Sequence, residues 1–252
     1  MKKSKTKIKA KKKTKIKKIQ KIIEAVLLVG DKSICDELKL IIENAELKIL
    51  SLKNIDARSI RKYDLLCAIE ITNLDIEEKR KNLSAIDRII PKSVSIISSS
   101  ICETVASQSR FVKSREKLIG FCAFPTLLSN NLIEIAPSLR TSKLVVEKTR
   151  EFFAKLGKNS IVVQDRIGLV LPRIISQIIN EAFFAIQQNI ATPSDIDLAM
   201  KLGTNYPHGP IEWGEKIGFE QVGAVLKALF DETREERYKI SPLLTQLIYS
   251  KN

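Results

Sequence analysis

Short apolar runs alternate with stretches of helical periodicity through the first hundred residues, and that alternation restricts the fold more than any other feature. Residues 25–29 read as a strand closed by Gly30, and residues 35–44 follow with apolar side chains at helical spacing (Leu38, Ile41, Ile42). Residues 47–52 and 65–71 are the second and third strands. Residues 76–90 are helix-like, Pro91 stops them, and residues 94–97 make a fourth strand. Strands separated by helices predict βαβ units and a parallel sheet. Two more short strands are expected at 117–119 and 161–163, around a helix at 143–156 with Gly157 in the C-cap position.

From Ile167 onward the pattern changes to helix throughout. Ile174, Ile175, Ile178, Ile179, Ala182, Phe183 and Ile186 form a wide apolar stripe on one long helix. Thr192-Pro193-Ser194-Asp195 is a helix start: Thr192 caps, Pro193 suits the first helical position, and Asp195 favours the first turn. Gly203 is expected to end that helix. A turn over 207–210 and an amphipathic helix over 219–230 follow.

Composition matters at one place. The net charge is +14, and twelve lysines within residues 1–21 face no acid before Glu24, so the rest of the chain stands at +2. Such a run repels itself and is expected to be disordered. It reads as a solvated tail without a specific partner, or alternatively as an electrostatic arm for nucleic acid or anionic membrane. No continuous apolar stretch reaches the length of a membrane span, and no apolar run ends in a cleavage site of secretory type. The four cysteines, Cys35, Cys67, Cys102 and Cys122, have no C-x-x-C spacing and read as reduced thiols of a cytoplasmic protein. With His208 the only histidine, no metal site is expected.

Several motifs then fall in order. Asn180-Glu181-Ala182, the run from Ala191 through Asp197, Met200-Lys201-Leu202-Gly203, Tyr206-Pro207-His208-Gly209-Pro210 and Ser241-Pro242-Leu243-Leu244 resemble the C-terminal domain of 3-hydroxyacyl-CoA dehydrogenases. The resemblance extends back through residues 117–134 and 91–100 and fades toward the N-terminus. It implies a reduced Rossmann-like domain over residues 22–163, an all-α dimerisation domain over 164–252, NAD as cofactor and a 3-hydroxyacyl-CoA of fatty acid metabolism as substrate. It also implies a homodimer, or a heterodimer with an active paralogue.

The residues that would carry the family's chemistry have largely changed. The segment similar to G-x-H-F-F-N-P runs from Gly120 to Thr126 and puts Cys122 at the position of the base histidine. The glutamate that orients that base is kept as Glu134. The asparagine position falls on Pro172. The substrate-holding serine is Ser100 when counted from Pro91 and Ser99 when counted from Thr104. A thiol with an ordinary pKa of about 8.5 is mostly neutral near pH 7 and does not replace imidazole as a proton shuttle. Pro172 offers neither a side-chain amide nor a backbone N–H. Of the G-x-G-x-x-G fingerprint only Gly30 remains, with Lys32 and Cys35 at the other glycine positions, Asp31 at the mouth, and Lys53 where an acid for the ribose belongs. In the stretch similar to E-A-V-x-E-x-x-x-x-K, Ala68, Thr72 and Glu77 stand at the matching positions. The sequence therefore predicts an α/β domain followed by an all-α domain, with catalysis impaired; a non-catalytic acyl-CoA-binding or dimer-partner protein is the alternative. His208 reads as a surface turn residue, and Trp213 as packing or dimer surface.

Overall fold

The computed structural model describes residues 23–125 and 130–250; the lysine-rich tail and Thr126 lie outside them. Strands β1 (Ile23–Gly30), β2 (Lys48–Ser51), β3 (Tyr63–Ile71), β4 (Ser95–Ser99), β5 (Leu118–Phe121), β6 (Leu132–Ala136) and β7 (Asn159–Val162) form one sheet in the order β2-β1-β3-β4-β5-β6-β7. The first five strands are mutually parallel, β6 is antiparallel to β5, and β7 is parallel to β6. Strands β3, β4 and β5 are largely buried on both faces; β5 is an apolar run, β3 is apolar apart from its first two residues and Glu70, and β4 pairs two isoleucines with three buried serines.

Helices α1 (Lys32–Asn44) and α4 (Lys143–Lys155) cover one face, where Ile34, Leu38, Phe152 and Phe153 pack on Val26, Ile69 and Phe121. Helix α2 (Ile76–Ile89) covers the other, with Leu83 and Ile86 against Ala25, Ala68 and Ile96. Asp75 starts α2 by accepting from the N–H groups of Glu77 and Glu78 at 2.9 and 3.0 Å. A short helix α3 (Val105–Gln108) follows β4.

The C-terminal part contains α5 (Leu171–Gln187), α6 (Pro193–Thr204), α7 (Pro210–Ile217), α8 (Phe219–Thr233) and α9 (Pro242–Ser250). Ile175, Ile179 and Phe183 of α5 pack on Val222, Val225 and Leu229 of α8, and this core continues into the sheet domain through Ile101, Cys122, Phe124 and Ala136. Thr192 caps α6 through the N–H of Asp195. The helix passes Gly203 by one residue, against expectation, because Asn205 takes the left-handed cap conformation instead, at φ 57°. Two further differences stand out. Strand β6 was not anticipated, since its sequence carries a glutamate at its centre and spans only five residues. It reverses the sheet's direction, so the parallel sheet expected is a mixed one.

Candidate functional site

The positions that resemble a catalytic constellation converge where β5, β6 and α5 meet. Cys122 follows β5, and its backbone N–H donates to Glu134 O of β6 at 2.9 Å. Gly120 precedes it for a steric reason: a Cβ there would come within 2.3 Å of Ser100 Oγ and 2.6 Å of Val105 Cγ2. The Cys122 side chain is buried in the core shared by the two domains. Burial first, and the Glu134 charge second, push its thiol well above the ordinary range, so it neither ionises nor takes up a proton near neutral pH.

Glu134 has a different occupation from the one its family position implies. One carboxylate oxygen accepts from Val170 N–H at 2.7 Å and the other from Leu171 N–H at 2.9 Å. Glu134 thus caps α5, with its negative charge at the positive end of the helix. Pro172, next in the chain, has no N–H to satisfy, and Arg173 N–H reaches Gly168 O at 3.0 Å. The start of α5 therefore presents no spare donor for a substrate oxygen at the asparagine position.

At the C-terminal ends of β3 and β4 the serines are likewise engaged. Ser98 Oγ donates to Glu70 at 2.9 Å, and Ser99 Oγ donates to Asn73 Oδ1 at 2.5 Å. Ser100 Oγ is buried without a hydrogen-bond partner among the described residues. Of the two serine candidates, Ser99 sits in a polar network and Ser100 beneath Gly120. The network contains an ion pair that sequence reasoning missed. Glu70 and Lys79, 0% and 3% exposed at their side chains, form a salt bridge, and Lys79 also donates to Ser98 Oγ and Ser99 O. Thr72 N–H holds the second Glu70 oxygen at 2.8 Å. The signal was present: an acid inside the apolar strand 65–71, with a lysine one helix start later.

The turn after β1 keeps its glycine for packing. Gly30 lies at φ 135°, and a Cβ there would meet the backbone of Ile71 at 2.5 Å. Asp31 leaves the first-turn N–H groups of α1 without a side-chain cap and instead accepts from Asn73 N–H at 2.9 Å. Asn73 Nδ2 donates to Ala123 O and to Gln221 Oε1 of α8, so the ends of β1, β3 and β5 are bonded to one another and to the helical domain. Burial raises the Asp31 carboxyl above its ordinary pKa. The open helix N-terminus is the one feature that favours a dinucleotide diphosphate. Against it stand a carboxylate at the mouth, side chains at two glycine positions, and Cys35 buried between α1 and the sheet. These residues do not fit the group.

A cleft of about 470 Å³ opens between the ends of β3 and β4 and helix α8, lined among others by Asn73, Lys79, Cys102, Thr104, Ile167 and Lys227. It does not reach the turn at Gly30. Three acids, Glu103, Asp231 and Glu232, line it, while Lys79 and Lys227 are paired with Glu70 and Asp231. His208 lies elsewhere, in the turn before α7, where its Nδ1 is 2.8 Å from Glu212. Trp213 packs on the helical core beside the Tyr206 ring.

Comparison with known proteins agrees with this architecture over most of the chain. Residues 44–166 match the profile described as 3-hydroxyacyl-CoA dehydrogenase, NAD binding domain, and residues 168–252 match 3-hydroxyacyl-CoA dehydrogenase, C-terminal domain. The turn at Gly30 lies outside both matches. A 3-hydroxybutyryl-CoA dehydrogenase of Clostridioides difficile is 27% identical over 189 residues, covering 75% of this chain and 66% of the relative. A 3-hydroxyadipyl-CoA dehydrogenase of Escherichia coli is 34% identical over 119 residues, which are 47% of this chain and 25% of that one. The chain thus spans about two thirds of the first of these relatives and a quarter of the second. The fold matches the crystal structure of Mycobacterium tuberculosis FadB2 at TM-score 0.79 and 18% identity, covering 91% of this chain and 95% of that one. It matches (S)-3-hydroxybutyryl-CoA dehydrogenase of Ralstonia eutropha at TM-score 0.73 and 23% identity, covering 91% and 94%. The chain belongs to the 3-hydroxyacyl-CoA dehydrogenase family.

Proposed function

We propose that this chain derives from NAD-dependent enzymes that oxidise 3-hydroxyacyl-CoA in fatty acid metabolism, and that it has lost most or all of that activity. One observation carries the reading. The carboxylate at the position that would orient a base is committed to two backbone N–H groups, and the neighbouring residue is a buried thiol, not an imidazole. Without a positioned base, about 10²–10⁴-fold of rate is forfeited before any defect in cofactor binding is counted. What remains is a non-catalytic protein that takes the acyl part of an acyl-CoA in the cleft beside α8, or that pairs with a catalytically competent relative.

The test is titration of the purified protein with NADH and acetoacetyl-CoA, alongside an assay of hydroxyacyl-CoA oxidation. NADH is expected to bind at least about a hundredfold more weakly than to a family member with all three glycines. Micromolar NADH affinity at physiological salt would overturn the reading of the cofactor site. Cys122→His alone is expected not to restore oxidation, because Glu134 stays bonded to α5 and Pro172 still lacks an amide. Turnover well above background in that variant would reinstate the chain as an enzyme.

The pairing reading rests on the face of α5 and α6. No residue of α6 is buried, and Ile174, Ile190, Leu198 and Leu202 are exposed. Between α5 and α6 lies an open apolar groove of about 580 Å³ with Ile178, Ala185, Ile196 and Met200 among its walls. Surface of this kind is covered by a second subunit more often than left to water. A self-paired dimer, or a heterodimer with an active paralogue, would bury it.

A further inference from the structure

The end of the sheet opposite the cleft has a character that the family's chemistry does not explain. Strands β1, β3, β4 and β5 run in parallel, so their first residues lie together at that end. Lys113 and Arg115 lead into β5, and Arg140 and Lys143 follow β6, which runs the other way. All four are exposed, and none forms an ion pair with a described residue. Lys113, Arg115 and Arg140 line one depression of about 730 Å³, which contains a single acid, Glu116. The twelve lysines of residues 1–21 join the fold at the start of β1, at this same end.

Two leucines project among these cations. Leu139 is 108% exposed and Leu144 64%. Their placement is built in. Ser138 and Thr141 close a tight turn through Ser138 N–H to Thr141 Oγ1 at 2.9 Å and Thr141 N–H to Ser138 O at 3.1 Å. Thr141 Oγ1 ties the turn to Leu118 O at 2.7 Å, and Ser142 N–H ties it to Glu116 O at 2.8 Å. Leu139 and Arg140 thus form the tip of a turn fastened to the base of β5. Ser142 caps α4, whose first turn carries Lys143 and Leu144.

We propose that this end of the sheet is a docking face for an anionic membrane surface, with Leu139 and Leu144 entering the headgroup–acyl boundary and the surrounding cations meeting the lipid charge. Cations draw the protein to anionic lipid, and aliphatic side chains on a fixed turn anchor it there. A membrane accounts for both features, whereas a nucleic acid accounts only for the charge. Single strands are gripped by aromatic stacking, and the one aromatic residue lining the depression, Phe111, is half-buried with the Arg110 guanidinium over its ring at 4.8 Å. No helix among the described residues is long and apolar enough to cross a membrane, so the association is peripheral.

Co-sedimentation of the full chain with vesicles tests this. Binding is expected to phosphatidylcholine vesicles containing about 30% phosphatidylserine at about 0.1 M salt, to be absent on phosphatidylcholine alone, and to fall steeply as salt rises. The pair Leu139→Ser and Leu144→Ser keeps every charge and should lower the partition coefficient about tenfold or more. An unchanged melting temperature would show that the fold is intact. A Leu139→Trp variant should gain blue-shifted emission on the anionic vesicles only. An unchanged partition coefficient in the serine pair would mean that the tail binds alone and would overturn the proposal. So would equal binding to neutral vesicles, or an oligonucleotide that displaces the vesicles with an affinity the serine pair does not alter.

Discussion

The helical half and the sheet half have treated their family residues in opposite ways. In the helical half the motif residues from Asn180 onward are retained, and the fold itself uses them; the change to Pro172 stands at the very start of α5. Asn180 bonds Lys239 O and Ser241 N–H, joining α5 to the approach of α9, and Asp197 accepts from the N–H groups of Ile211 and Glu212, capping α7 from α6. In the sheet half the sequence differs from the family's motifs at Lys32, Cys35 and Cys122, while Gly30, a serine and Glu134 are kept. Residues around the changed positions are drawn into internal bonds: Glu134 into the cap of α5, Asp31 and Asn73 into a bridge to Gln221, and Glu70 and Lys79 into a buried pair. A residue that satisfies its own fold is held by stability, whereas one that serves only a ligand is not. Architecture and chemistry are separable in this chain.

The sharpest test of that contrast is the Glu70–Lys79 pair. Lys79→Met strands a buried carboxylate and should cost about 3–5 kcal/mol in chemical denaturation. The double change Glu70→Leu with Lys79→Met removes both charges and should recover most of the loss or exceed the parent stability. A double variant as unstable as the single one would show that the pair organises the site beyond its own charges.

Next in size comes the uncovered face of the helical half. Leu202→Glu with Ile174→Glu, both at exposed positions, should leave the subunit folded and weaken self-association by about a hundredfold, read by sedimentation. On the pairing reading a chain lacking residues 1–21 should be dimeric, because lysines that repel one another add nothing to an apolar interface. A monomer at about 10 µM, alone and mixed with an active relative, would remove the pairing reading.

Glu134 separates the two halves most directly, because it stands at their junction. As a cap that meets two N–H groups, its loss in Glu134→Ala should cost about 1–3 kcal/mol, while Glu134→Gln, which keeps one acceptor, should cost less. A glutamate serving catalysis would show the reverse order of concern: small stability effects and a large change in turnover.

How far these features could be read from sequence follows from the distance over which each is determined. The strands of the parallel part were legible because burial on two faces leaves an apolar run, and the start of α6 was legible because Thr192 and Asp195 are three residues apart. Strand β6 was not, since five residues with a central acid carry no clear period. Cys122, Glu134 and Pro172 were singled out by their resemblance to family motifs, but the hydrogen bonds of Glu134 could not be foreseen. Its partners are 36 and 37 residues away, and Asn73 and Gln221 are separated by 148. Backbone N–H groups also carry no residue identity, so no pattern in the sequence announces them as partners.

The smallest expected effect tests the turn between β1 and α1. Burial raises the Asp31 carboxyl above its ordinary value of 3.8. In the folded protein it therefore holds its proton to higher pH than in the unfolded chain. Between the two values the folded state binds more protons, so this group makes stability fall as pH rises through that window, and the loss persists above it. Asp31→Asn removes the cost while keeping an oxygen to accept from Asn73 N–H. The variant should melt slightly higher than the parent at pH 7, and the two should converge near about pH 3, where the parent carboxyl is protonated in both states. A lower melting temperature at pH 7 would mean that the carboxylate contributes more through Asn73 and Gln221 than its burial costs. The mouth would then be stabilised by its charge, and the boundary between the self-satisfied sheet end and a working anion site would lie elsewhere than at Asp31.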